Sequence, residues 1–233
     1  MDPRVLATLK LAGFDIFSFA NNHIGDWGLE AFEDTLHWLN ENEFKYTGAG
    51  FNKNEAKEPA IIERNGLKIG FIGFSDVGPK WMEAKDDKAG ILLAGDLEFE
   101  KIIAEASKKA DILIVSFHFG EEYKKHTKRQ EELAHKAIDS GARIVIGHHP
   151  HVAQDVEEYK NGLIAYSLGN FIFDQSFSKE TMQGLVLKIK VGQEGILETQ
   201  KYISKLNKFF QPQELIALEP SLPPPPKVLT KKK

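Results

Sequence analysis

Residues 143–151 read RIVIGHHPH: a short apolar run, Arg143 to Ile146, ends at once in Gly147-His148-His149-Pro150-His151. Three of the chain's eight histidines fall within four positions there. The run predicts a buried strand, and its end offers a cluster of imidazoles. The H-x-H spacing of His149 and His151 lets two rings leave one turn, and Pro150 between them stiffens it.

Two more predicted strands end in the same way. Asp15 to Ala20 (DIFSFA) is followed by Asn21-Asn22-His23, and Asp111 to Phe117 (DILIVSF) is followed by His118. In α/β sheets the carboxyl ends of the strands share one edge, and ligands bind there. The three turns are therefore expected to converge, although they lie far apart in sequence. Imidazole nitrogen and asparagine oxygen are suitable ligands for Mn, Fe, Ni or Zn ions. A metal pair so held can clamp and activate a water for hydrolysis. Each turn also has a plainer reading: His118 as a core or rim residue, the Asn-Asn-His stretch as a helix cap, and GHHPH as a surface turn. Their joint occurrence favours a site. His37, His126 and His135 fit no such pattern.

Around these strands the chain alternates helix and strand. Helical spacing marks 5–11, stopped by Gly13, then 28–40, 97–110 and 128–139, the last closed by Ser140-Gly141. Asn65-Gly66 and Asn161-Gly162 each sit between apolar runs and predict hairpins, and late strands are expected at 185–191 and 196–202. Strands that are apolar throughout argue for an α/β sheet covered on both faces. From Gln211 onward a proline run and a basic end, SLPPPPKVLTKKK, predict a solvated tail. The expected division is a folded domain over 1–205 and a flexible tail over 206–233.

Composition narrows the function. With 42% hydrophobic and 27% charged residues among 233, a substantial core is expected. A net charge of -4 gives no sign of the basic face that nucleic acid requires. The lack of cysteine rules out thiolate nucleophiles and thiolate metal sites. No stretch approaches the apolar length of a membrane span. Val5, Leu6, Leu9 and Ala12 have helical spacing, so the N-terminus reads as a helix and not as a leader.

The ordered stretches FDIFSFANNHIGDWG, TGAG (Thr47 to Gly50), HFGEEY (His118 to Tyr123), GHHPHVAQ and YSLGNFIFD (Tyr166 to Asp174) resemble the CapA-type poly-γ-glutamate capsule synthesis proteins, a family similar in fold to the calcineurin-like metallophosphoesterases. The resemblance covers roughly residues 2–203. It implies a four-layer α/β/β/α sandwich with a site for two divalent ions (Mn, Fe or Zn). It makes Asn22, His118, His149 and His151 metal ligands and His23 a catalytic acid, with Asp26 as the partner that orients His23 or as a helix N-cap. His148, Glu122, Tyr123, Lys124 and Asn170 are expected to line the substrate pocket. The family's opening aspartate strand and its second acidic motif are not found here, so the sandwich is expected to lack its first strands.

The resemblance further implies a cell-envelope role with an anionic partner, poly-γ-glutamate or a phosphoester, and other capsule-synthesis proteins as possible partners. The basic run Lys124, Lys125, His126, Lys128 and Arg129 would suit a polyanion, and reads equally as a solvated loop. Two classes of function compete: a metal-dependent hydrolase or transferase, and a non-catalytic polymer-binding or assembly component.

Overall fold

The computed structural model describes residues 2–95 and 98–218. In chain order the elements are α1 (Val5–Leu11), β1 (Ile16–Ser18), α2 (Gly28–Glu41), β2 (Lys45–Thr47), β3 (Ala49–Gly50), α3 (Lys53–Lys57), β4 (Ala60–Arg64) and β5 (Leu67–Ser75). There follow β6 (Gly90–Ile91), α4 (Phe99–Ser107), β7 (Ile112–His118), α5 (Lys128–Asp139), β8 (Ile144–His148), β9 (Val156–Tyr159), β10 (Gly162–Ala165), β11 (Gln183–Gly192), β12 (Gly195–Leu206) and β13 (Pro212–Ala217).

The central sheet has six strands in the order β4-β5-β7-β8-β10-β9. β5, β7, β8 and β10 run parallel, and β4 and β9 close the edges antiparallel. Period-two alternation divides its side chains between two faces. Ile72, Phe74, Leu113, Val115, Phe117, Val145 and Ile164 pack against α4 and α5. Leu67, Ile69, Ile112, Ile114, Ile144 and Ile146 face the other way, toward Ile189, Val191 and Ile196 of the three-stranded sheet β11-β12-β13. A strand with apolar residues at every position is thus satisfied by two covered faces.

On that second side also lies the small parallel sheet β1-β2. It is tied to β5 where Thr47 Oγ1 donates to Phe71 O at 2.9 Å. α1 and α2 cover its outside through Leu6, Leu39 and Phe44, packed against Phe17, Phe19 and Tyr46. The order helix, sheet, sheet, helix is the expected α/β/β/α layering. Among the described residues no helix is long and apolar enough to cross a membrane.

The structure corrects two expectations about elements. The first strand is three residues long, with Ile16 and Phe17 only half-buried and Ser18 exposed, and it pairs with β2 and not with the central sheet. With a single partner strand it cannot be covered as a central strand is. The second correction is at the C-terminus. Pro212–Ala217 forms β13, antiparallel to β12, so order continues past 205 and past Gln211. β12 offers it a free edge, and Ile216 pairs with Ile203 there. The proline-rich stretch SLPPPPKVLTKKK lies outside the described residues.

Candidate functional site

The carboxyl ends of β7 and β8 lie side by side, with His118 and His148 in register. His118 shares the inner face of β7 with Ile112 and Ile114, and His148 shares that of β8 with Ile144 and Ile146. The turn after β1 reaches His118 from the second layer: Asn22 Oδ1 lies 2.8 Å from His118 Nε2. Asn21 shapes this turn, its Oδ1 accepting from the His23 backbone N–H at 2.9 Å. The expected convergence therefore occurs, but between two β layers and not along the edge of one sheet.

His149 completes the group. Its ring lies 4.9 Å from that of His118 and 6.2 Å from that of His151. Its Nδ1 is buried and has no hydrogen-bond partner among the described residues. His149 and His151 both adopt positive φ, 103° and 59°, which costs a histidine conformational energy and turns the two rings out of the chain's normal path. Burial first, then the neighbouring imidazoles of His149, His148, His151 and His23, push His118 down to about 2. Burial also lowers His149, with His151 and His23 adding and Glu122 opposing. His118 and His149 are thus neutral near pH 7, the state in which imidazole serves as a metal ligand.

Imidazole nitrogen and amide oxygen are donors of a type that suits a divalent ion. Asn22 Oδ1 and His118 Nε2 are separated as two ligands of one ion at bond lengths of about 2.1 Å would be, roughly 3 Å apart. The orphaned Nδ1 of His149 is a buried donor atom in want of a partner. Among the described residues no group of three His, Asp or Glu side chains is placed to hold an ion by itself.

His23 is exposed, and its Nδ1 lies 2.8 Å from Asp26 Oδ2. Asp26 does not cap α2: the N-cap position is Trp27, with no side-chain cap. The reading of Asp26 as partner of His23 stands, and the cap reading falls. Tyr123 is held against the GHHPH turn by its N–H, which donates to Pro150 O at 2.8 Å. Glu122 beside it is near enough to His149 to act on it electrostatically. His151 Nδ1 meets Asn170 Oδ1 at 2.9 Å.

Two expected pocket residues are placed elsewhere. His148 lines an apolar cavity of about 500 Å3 between the sheets, with Ile69, Ile114, Ile146, Leu168 and Leu187, and burial pushes it down to about 4. The period-two rule puts it on that face. Lys124 is engaged in an exposed ion pair with Glu121 at 2.6 Å. The basic run is mostly tied up. His126 stacks on Tyr166 with ring centroids 4.2 Å apart and reaches Asp155, and Arg129 makes a two-pronged ion pair with Asp76. His37 packs on Phe51, and His135 stacks on Tyr159 and meets Glu157.

Sequence reasoning missed Asp76, which follows β5 and donates its N–H to His118 O at 2.9 Å. A fourth apolar strand ending in a polar residue at the same edge was the available signal. Phe173 and Gln175, which flank His151 and Tyr123, were also missed.

This layering, with imidazole and amide donors at the carboxyl end of the central strands, is a metallophosphoesterase-like fold. The sulfate thiohydrolase SoxB of Thermus thermophilus, solved with glycerol, superposes with a TM-score of 0.56 at 14% identity, over 85% of this chain and 34% of that one. The NAD nucleotidase NadN of Haemophilus influenzae gives a TM-score of 0.52 at 14% identity, over 91% and 45%. At such identities the likeness shows the fold alone. The chain itself belongs to the family of bacterial capsule synthesis proteins, PGA_cap, whose model matches residues 1–175. It is 39% identical over 180 residues to the PGA biosynthesis protein CapA of Bacillus subtilis (strain 168), a match over 76% of this chain and 47% of that protein. The chain spans about half the length of the curated relatives it matches.

Proposed function

We propose that this chain is the metal-binding part of a hydrolase or transferase that acts on phosphoester or γ-glutamyl bonds in poly-γ-glutamate capsule synthesis or export. The observation that carries the reading is the buried, unpartnered Nδ1 of His149 beside the Asn22–His118 pair. Asn22, His118, His149 and His151 would hold the ion. A divalent ion there supplies Lewis acidity toward a phosphoryl or acyl oxygen. The second ion implied by the family resemblance would need ligands beyond these four.

The chain's own residues then divide the work. Asp26 accepts from His23 Nδ1–H and orients the ring, so that His23 exchanges a proton with a leaving group at Nε2. Glu122 and Tyr123 flank the histidines on one side of the approach. The substrate is an anion in either case, a phosphoester or a polyglutamate chain, and the relative's role in PGA biosynthesis favours the latter.

The test is metal content. Purified protein, equilibrated with Mn, Fe or Zn and desalted, is expected to hold about one ion per chain by elemental analysis. The double variant His149→Ala, His151→Ala is expected to hold none, with its thermal melt still cooperative. Metal-free wild type, or undiminished metal in the variant, overturns the reading and leaves a polymer-binding role.

A further inference from the structure

The His151 ring is held by several neighbours from other parts of the chain. Asn170 Oδ1 lies 2.9 Å from its Nδ1. Tyr123 stacks on one side with centroids 5.9 Å apart and planes 24° apart, and Phe173 lies 4.8 Å away. Asn170 is buried, 5% exposed, and its amide has no freedom to flip. Its Nδ2 donates to Thr181 O at 3.0 Å and to Gln175 Oε1 at 3.1 Å. Both amide hydrogens are thus spent on acceptors, and Oδ1 is left to face the ring. Gln175 in turn donates from Nε2 to Tyr123 OH at 2.9 Å, so the same network holds the stacking tyrosine.

The backbone is built to the same end. Leu185 N–H donates to Leu168 O, and Gly169 bridges to Gly184, so the SLGN turn is pinned to the start of β11. On its other side Leu168 bridges to Ala153, two residues beyond His151.

We propose that Asn170 is a positioning residue for His151: because Oδ1 only accepts, it holds the proton on Nδ1 and leaves Nε2 bare for the site. Free imidazole prefers the opposite tautomer, with the proton on Nε2, so an unaided His151 would present a hydrogen where a lone pair is required. The role of the SLGN asparagine is then to select a tautomer and an orientation, and not to touch substrate. The use of that lone pair toward a metal rests on the functional reading above. The tautomer itself does not, and it is measured independently of any metal.

The experiment is 15N spectroscopy of full-length protein with labelled histidine rings, at neutral pH with a chelator present. The His151 resonances are assigned by their loss in His151→Gln. Wild type is expected to show a protonated Nδ1 and a bare Nε2. Asn170→Leu is expected to move the ring toward the Nε2–H form, and Asn170→Asp, which keeps the acceptor, to retain the Nδ1–H form. Titration with Mn or Zn is then expected to show affinity reduced about 10- to 100-fold in Asn170→Leu and largely restored in Asn170→Asp. A wild-type ring carrying its proton on Nε2 overturns the proposal. So does a folded Asn170→Leu with an unchanged tautomer. Should Asn170→Leu fail to fold, the wild-type and Asn170→Asp spectra decide. The expected tautomers with no metal uptake by wild type would support the positioning role and refute the metal reading.

Discussion

His148 offers a quantitative check on how the sheets are packed. Its ring lines the inter-sheet cavity and is half-buried by surface area, and burial accounts for its displacement from 6.5 to about 4. In the unfolded chain it takes up a proton as the pH falls below about 6.5, whereas in the folded protein it stays neutral until about 4. The unfolded state therefore binds more protons within that window, and stability falls as the pH falls through it. Between about pH 7.5 and pH 5 the shift of His148 from 6.5 to about 4 is worth about 2 kcal/mol, from 1.36 kcal/mol per unit over roughly 1.5 units. Substituting His148→Leu removes the titration and suits the apolar lining, so its own cost at pH 7.5 is expected below about 1.5 kcal/mol. Urea unfolding of both proteins at the two pH values, with a chelator, gives the comparison. Wild type is expected to lose about 2 kcal/mol more than His148→Leu on acidification. Equal losses would show that His148 is hydrated in the folded protein and that the two β layers do not close over it.

Two further substitutions test the elements that carry the site. A methyl group at Gly147 would lie 2.0 Å from Tyr166 O, a backbone atom that cannot turn aside, so Gly147→Ala is expected to cost roughly 3 kcal/mol or more and to lower Tm sharply. Gly95→Ala, with nothing within 4 Å among the described residues, is the control and is expected to change stability by less than about 0.5 kcal/mol. At α5, Thr127→Ala removes the capping box with Gln130 and is expected to cost about 1 kcal/mol by urea unfolding, most of which Thr127→Ser should recover.

What could be read in advance follows from the range of the forces involved. The helix at 128–139 was legible to the residue because its signals are local: helical spacing closed by Ser140-Gly141, while the Thr127–Gln130 capping box at its start is seen in the structure. The apolar strands were legible because burial on both faces leaves no polar position. Alternation along β8 even contained the answer on His148, since Ile144, Ile146 and His148 must share a face. The short β1 was misjudged because DIFSFA has the composition of a central strand, and no local feature says which sheet it joins. β13 was masked by Pro212 and a polar run, and it exists because β12 offers an edge. The partners of Asn170 and Asp76 could not be read from sequence, since His151 and Arg129 lie 19 and 53 positions away.

One motif changes meaning once the layers are seen. The TGAG stretch marks the family resemblance but supplies no ligand. Thr47 donates to Phe71 O, and Gly48 lies so close to Gly73 that a methyl group there would stand 2.5 Å from Gly73 O. Only a bare backbone allows β2 to approach β5 so nearly. β1 is paired to β2, and Phe19 N–H donates to Thr47 O at 3.0 Å. The turn bearing Asn22 is therefore positioned by the contact between Gly48 and Gly73. The 2.8 Å separation of Asn22 from His118 spans two layers that share no ladder hydrogen bonds, so it depends on how closely those layers pack. A donor pair built across such a junction is sensitive to packing far from itself, and TGAG acts at the site through spacing.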